Sequence, residues 1–543
     1  MASEKRVRKK AVWFEVACVV ALFLAMYCAV GAAAAPGGPV FALEAIFLGG
    51  IAGGRVAEFF LKVATIPSLL WMLIIGLLLG NVPGLRVYCG DAVDKGSSSA
   101  LRTAALSLIM ARAGLGLDGE ALYRLRYSAL ALALLPCLME ASLAGLLAFA
   151  FFQNFPPAWC ATLGFVVAAV SPAVVVPSLL KLADEGYGLA SGIPTLVVAA
   201  AALDDVFSLA GFGVSLGFAV EKQKNSDGVL LPNQLWADIL RAPLEIFAGF
   251  AVAFFGAALL KKRRRTVTSL FFFSSRRREG KKASRRTTID DDDEDEATID
   301  DESDDDDFGD FVGLGALCLA STFGLKRLGL SGASALATLT LAFLGGRDFG
   351  KAKAKRIGSR FTSLWNDIGQ PTLFALLGVA VDLSTLSAKT AGLAVGLLLI
   401  AGVARFGSAT VAVRGRPLAE RTFVALAWMP KATVQALVGA VPLDEATSQE
   451  DQRRGHIVLA VAVVAVLITA PLGAFAIAYS GPRLLKKQQI IIAPGDAKKN
   501  EVVIAMVATS SPENDVLVLP VRGTPNNDPA AHDDDAKDDD DDA

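Results

Sequence analysis

Histidine is almost missing from this sequence: His456 and His532 are its two, and neither has a partner at ligand spacing. Two imidazoles cannot build a typical zinc site, so metal chemistry of that kind is excluded. The six cysteines (Cys18, Cys28, Cys89, Cys137, Cys160 and Cys318) are scattered, mostly inside apolar segments, with no CxxC spacing. They read as packing residues and not as a redox or thiolate site. A surplus of one charge is missing too, since the formal net charge is −2. That figure averages a basic block and an acidic block, so the distribution carries the information, and nothing in it calls for a nucleic-acid partner. No cofactor is expected either.

What the chain has instead is apolar length. Hydrophobic residues make up 53% of 543, and the mean hydropathy is +0.49. A soluble domain could not hide that much apolar surface. Runs of about 16 to 26 apolar residues recur from end to end, and a helix needs about 20 to cross a bilayer core of about 30 Å. The expected spans lie near residues 11–35, 38–54, 66–80, 99–116, 127–152, 158–182, 192–219, 236–260, 311–328, 332–346, 358–383, 389–413, 418–441 and 455–480. The fold class expected is therefore an all-α polytopic membrane protein of about fourteen transmembrane helices. The first run follows a basic stretch, Lys5 to Lys10, and ends in small residues like a signal peptide, but it is too long for one and reads as a retained span.

Placing the amino terminus in the cytosol puts the basic clusters Lys261–Arg265, Arg276–Arg286, Lys351–Arg360, Arg414–Arg421 and Arg483–Lys487 on the cytosolic side. That is the positive-inside pattern, and an even number of spans leaves both termini cytosolic. Two segments do not read as membrane: a charged insert at 261–310, with Asp290–Glu296 and Asp300–Asp307, and a tail at 481–543 ending in Asp538 to Asp542. Such charge blocks bury too little apolar area to fold, so both are expected to be disordered. The division is then 1–10 cytosolic terminus, 11–260 extra span, first repeat and linker helix, 261–310 insert, 311–480 second repeat, and 481–543 tail.

Setting aside the first and eighth spans leaves two groups of six whose orientations are opposite, an inverted repeat. The fifth member of each group contains helix breakers, Ser171-Pro172 with Pro177 in one and Met429-Pro430-Lys431 in the other. A proline within a span frees a carbonyl, which lipid tolerates only where the freed groups line a cavity. Two broken helices at equivalent positions point to a binding site at the bilayer midplane.

The ionisable residues agree. Asp204 and Asp205 follow Val198-Ala-Ala-Ala-Ala-Leu, 11 and 12 residues after Ile193, which at 1.5 Å per residue is about 17 Å deep. A carboxylate there costs several kcal/mol unless neutral, paired or bound to a cation. Adjacent helix positions lie about 100° apart, so one acid is expected to face the ion and the other a partner. Lys431, at the second break, is the positive partner the sequence offers. Glu140 and Arg405, both well inside spans, read as a buried structural or gating pair without a catalytic role.

Met110–Asp118, Ala169–Ser178, Gly186-Tyr-Gly, Gly192–Thr195, Leu203-Asp-Asp205 and Ala427–Ala436 together resemble the animal-type NHA branch of the cation/proton antiporters over about residues 38–485, outside the charged insert. The resemblance implies an NhaA-like fold, with a six-helix core domain moving against a dimerisation domain, and a homodimer to which an extra amino-terminal span contributes. It implies exchange of sodium or lithium for protons, not enzymatic catalysis, with Asp205 as main cation and proton ligand and Asp204 as its companion. Lys431 would pair with one of them, Glu140 with Arg405 would form a second pair, and Ser171, Pro172 and Thr195 would line or shape the crossing. Its setting would be the plasma membrane or an endomembrane. A potassium/proton antiporter or sodium-coupled solute carrier of related fold is the alternative. An intramembrane aspartyl protease needs opposed aspartates on two helices, and the adjacent pair here cannot supply them.

Overall fold

The computed structural model describes residues 33, 35–60, 67–117, 119–189, 191–220, 244–263, 295–384, 387–446, 448–493, 501–508 and 516–522. The span expected over 11–35 lies almost wholly outside the described residues, as do most of the charged insert and the last part of the tail. Among them helix dominates: α1 (Pro39–Phe60), α2 (Ser68–Asn81), α3 (Pro83–Cys89), α4 (Lys95–Leu115), α5 (Gly119–Phe151), α6 (Pro157–Ala168), α7 (Pro172–Asp184), α8 (Ile193–Ala219) and α9 (Leu244–Arg263). After the insert come α10 (Asp295–Arg327), α11 (Ser331–Phe349), α12 (Lys351–Leu364), a π turn (Trp365–Gly369), α13 (Gln370–Val379), α14 (Ala388–Ala412), α15 (Leu418–Ala427), α16 (Thr433–Val438), α17 (Val441–Asp444) and α18 (Gln449–Leu484).

Each expected span from residue 38 onward overlaps one or more of these helices, with 158–182, 358–383 and 418–441 each divided among several, but the count of fourteen is not reproduced. Among the described residues seven helices are long and apolar enough to cross a membrane, or eight if α2 and α3, bent by 96° at Val82, are one span. The physical reason lies in the shorter members: α4 carries Lys95, Arg102 and Arg112, α13 has 10 residues, and α15 and α16 have 10 and 6. None of them reads as an uninterrupted apolar cylinder.

Two boundaries also move. The expected insert ends at 310, yet α10 begins at Asp295, because negative side chains suit a helix amino terminus. Near its membrane end Asp307 and Asp310 are buried, with Lys353 3.2 Å from Asp307 and 2.9 Å from Asp310. The tail is not wholly without structure either, and the fold is not purely α: β1 (Gln488–Ala493), β2 (Glu501–Ala508) and β3 (Val516–Arg522) form one antiparallel sheet in the order β1-β2-β3. Gln488 lies opposite Ala508, and Glu501 opposite Arg522. Runs of β-branched residues such as Ile490-Ile-Ile and Val502-Val-Ile favour strands within a segment whose overall charge suggests disorder.

The core sits where α5, α6, α8, α14 and α18 pack on one another, with α11 and α4 against α8's other side. The two interrupted helices are buried at its centre. In the first, α6 stops at Ala168, the chain runs extended through Ala169 and Ser171, and Pro172 starts α7 from the first helical position, where its missing N–H costs nothing. In the second, α15 stops at Ala427 and α16 starts at Thr433, with Pro430 in the gap. The gaps touch: Ser171 N–H donates to Pro430 O at 2.8 Å, and the Ser171 and Thr433 hydroxyls are 2.9 Å apart.

Candidate functional site

A helix that stops inside a bundle leaves carbonyls and amides without their usual partners, and away from water each must find another. Side chains from the neighbouring helices do this here. Arg405 on α14 donates Nε to Trp428 O at 2.5 Å and Nη1 to Ala168 O, so one guanidinium caps the carboxyl ends of both α15 and α6. Gln435 on α16 donates Nε2 to Val166 O and Ala169 O at 2.9 and 3.3 Å. Asp204 on α8 accepts the Val170 N–H at 2.6 Å, and Thr469 on α18 accepts the Lys431 N–H at 2.9 Å.

The charges gather around the same two gaps. Arg405 Nη1 lies 2.7 Å from Glu140 Oε2, and its Nη2 3.4 Å from Asp204 Oδ2. Lys431 Nζ lies 2.7 Å from that same Glu140 Oε2. Glu140, Asp204, Asp205, Arg405 and Lys431 are all 1% exposed or less. These contacts differ in part from the expected pairing. Glu140 does pair with Arg405, but the carboxylate bonded to Lys431 is Glu140's, and the cation beside Asp204 is Arg405. The backbone explains the swap: the gap that frees Lys431 from a helix places it against α5, while Arg405 must enter between both gaps to reach the orphan carbonyls.

Asp204 and Asp205 differ as neighbours on a helix should. Asp204 Oδ2 has two partners while its Oδ1 is buried with none, and Asp205 Oδ1 is likewise buried with none. Three carboxylates here face two cationic groups, which leaves one negative charge when all are ionised. One monovalent cation or one proton neutralises the cluster. Hard cations prefer oxygen ligands, and both acids supply carboxylate oxygen.

Of the remaining expected site residues, Ser171 and Pro172 lie at the first gap, with Ser171 buried. Thr195 does not join them. It is exposed in the first turn of α8, nine residues before Asp204, hence about 14 Å along the axis. Gln435, Thr433 and Thr469 were not singled out from sequence. The first two are polar residues directly after a helix break, a usable signal, while Thr469 lies mid-helix and gives none.

Apolar helices of spanning length around a sealed cluster of acids and bases define a multi-pass membrane protein with an ionisable core. The chain belongs to the sodium/hydrogen exchanger family: the model for "Sodium/hydrogen exchanger, transmembrane" matches residues 45–280 and 303–507. It is 35% identical to Sodium/hydrogen exchanger 9B1 of Homo sapiens over 463 residues, 84% of this chain and 80% of that relative. With Sodium/hydrogen exchanger 9B2 of Homo sapiens it shares 36% identity over 480 residues, 87% of this chain and 80% of the relative. The fold is similar to that of the sodium proton antiporter MjNhaP1 from Methanocaldococcus jannaschii at pH 8, with a TM-score of 0.57 at 16% identity, over 82% of this chain and 99% of that one.

Proposed function

We propose that the protein exchanges sodium or lithium for protons by alternating access, with Asp205 holding either ion and Asp204 beside it. The observation that carries the reading is the buried cluster of three carboxylates and two cations, with an unpartnered oxygen on each of the adjacent aspartates. Moving a net charge through a low-dielectric interior is costly, by several kcal/mol per ion even after relaxation. With a proton or a monovalent cation aboard the cluster is neutral, and empty it is not. The loaded forms therefore cross and the empty form does not, which is what couples the two fluxes. Cation and proton compete for one negative charge, so the apparent sodium affinity falls as pH falls.

In this reading α5 to α8 and α14 to α18 form the moving core, α1 to α4 and α10 to α13 the scaffold, and the inverted repeats are α1 to α8 and α10 to α18. The working form is a homodimer in the plasma membrane or an endomembrane. The test is flux in reconstituted vesicles with Asp205→Asn, which keeps volume and removes the titratable charge. The variant should fold with a melting temperature near that of the original chain and lose exchange. Wild-type flux in Asp205→Asn, or a sodium affinity constant over two pH units below neutrality, would overturn the assignment.

A further inference from the structure

Among the described residues, and apart from the two carboxylate oxygens of Glu44 on α1, four buried side-chain oxygens lack a hydrogen-bond donor: Glu140 Oε1, Asp204 Oδ1, Asp205 Oδ1 and Gln435 Oε1. Three belong to the charged cluster already described. The fourth is the amide oxygen of a neutral residue that is fully buried. Its direction is fixed by chemistry, because Val166 O and Ala169 O can only accept and so the amide NH2 must face them. The oxygen then points away from the α6 terminus. Leaving such an acceptor unpaired in an apolar core costs about 1–3 kcal/mol. The amide NH2 is accounted for by the α6 carbonyls, and the oxygen is left for something it can bind.

We propose that Gln435 is a cation ligand, supplying a neutral oxygen beside the carboxylates; this rests on the exchange reading above. The same side chain holds Val166 O and Ala169 O, and Asp204 holds the next N–H along, Val170. One short stretch of backbone thus ties Gln435 to the acid pair. A neutral ligand completes oxygen coordination without adding charge, so the cluster still matches a monovalent ion. Gln435 therefore sets cation affinity and the choice among ions of different radius, while the proton, which needs only a carboxylate, is indifferent to it.

Gln435→Met keeps the length of the side chain and removes the oxygen. Its half-saturating sodium concentration should rise about tenfold, the equivalent of 1.4 kcal/mol, with a changed sodium-to-lithium ratio and proton competition retained. Sodium-induced rise of the melting temperature in detergent should shrink in parallel. Gln435→Asn, which keeps both amide groups but withdraws them by one methylene, serves if the Met variant fails to fold, and should shift the ion ratio as well. If either variant is less stable but has the original half-saturation and ion ratio, Gln435 only caps α6 and the proposal fails. Failure of the exchange reading looks different: Asp205→Asn would then keep both flux and the sodium-induced thermal shift.

Discussion

Glu140 Oε2 receives an ammonium and a guanidinium, each at 2.7 Å, with no water-exposed surface around it. Removing one member of such a buried group leaves uncompensated charge, at a cost of about 3–5 kcal/mol. Glu140→Gln should therefore destabilise the protein more than Lys431→Met, because it strips two cations of a partner while Lys431→Met leaves Glu140 with Arg405. A double-mutant cycle on unfolding of detergent-solubilised protein separates the pairings. The Glu140–Lys431 coupling should exceed the Asp204–Lys431 coupling, and the reverse order would restore the pairing expected from sequence. The contacts differ from that expectation for a simple reason. Sequence shows which ionisable groups are deep, but the choice between two deep acids depends on the path of an unwound backbone.

At the scale of elements, the bundle is held by close helix crossings as much as by its charges. A methyl group at Gly76 on α2 would overlap the Ala375 carbonyl on α13, and one at Gly378 would overlap the Leu73 carbonyl. Small residues at such a crossing let backbones meet, which is how helices associate when lipid removes the hydrophobic drive. Gly76→Leu should therefore lower the melting temperature by several degrees, corresponding to about 1–3 kcal/mol of overpacking. Because α2 and α13 supply none of the charged cluster, half-saturation for sodium should be unchanged in protein that remains folded. An altered sodium affinity would mean that this crossing is coupled to the site. The interrupted helices themselves were legible, since Pro172 and Pro430 disfavour continuous helix, although Pro177, also expected to break the first, lies inside α7. That the two gaps bond to each other was not, because residues 171 and 430 are 259 positions apart and no local rule joins them.

For the whole molecule, the insert and the tail decide how much chain the exchanger needs. Deleting 266–294, all outside the described helices, should leave exchange and melting temperature unchanged. Extending the deletion through 310 removes Asp307 and Asp310, the carboxylates 3.2 and 2.9 Å from Lys353. It should cost about 1–3 kcal/mol. Equal stability of the two deletions, measured side by side in detergent, would show that the acidic start of α10 contributes nothing. Removing 523–543 should preserve flux in vesicles.

The sequence by itself determined that this chain is a multi-pass helical protein, because apolar length is a local property that no packing can undo. It determined how far along α8 Asp204 and Asp205 lie for the same reason, since position along one helix is a count of residues. Only the tertiary structure decided that Arg405 caps two helix ends at once, that Lys431 bonds Glu140, and that Gln435 is buried with an oxygen to spare. Each of these depends on which orphaned backbone groups meet which side chains across the bundle, and that is settled by packing among distant segments.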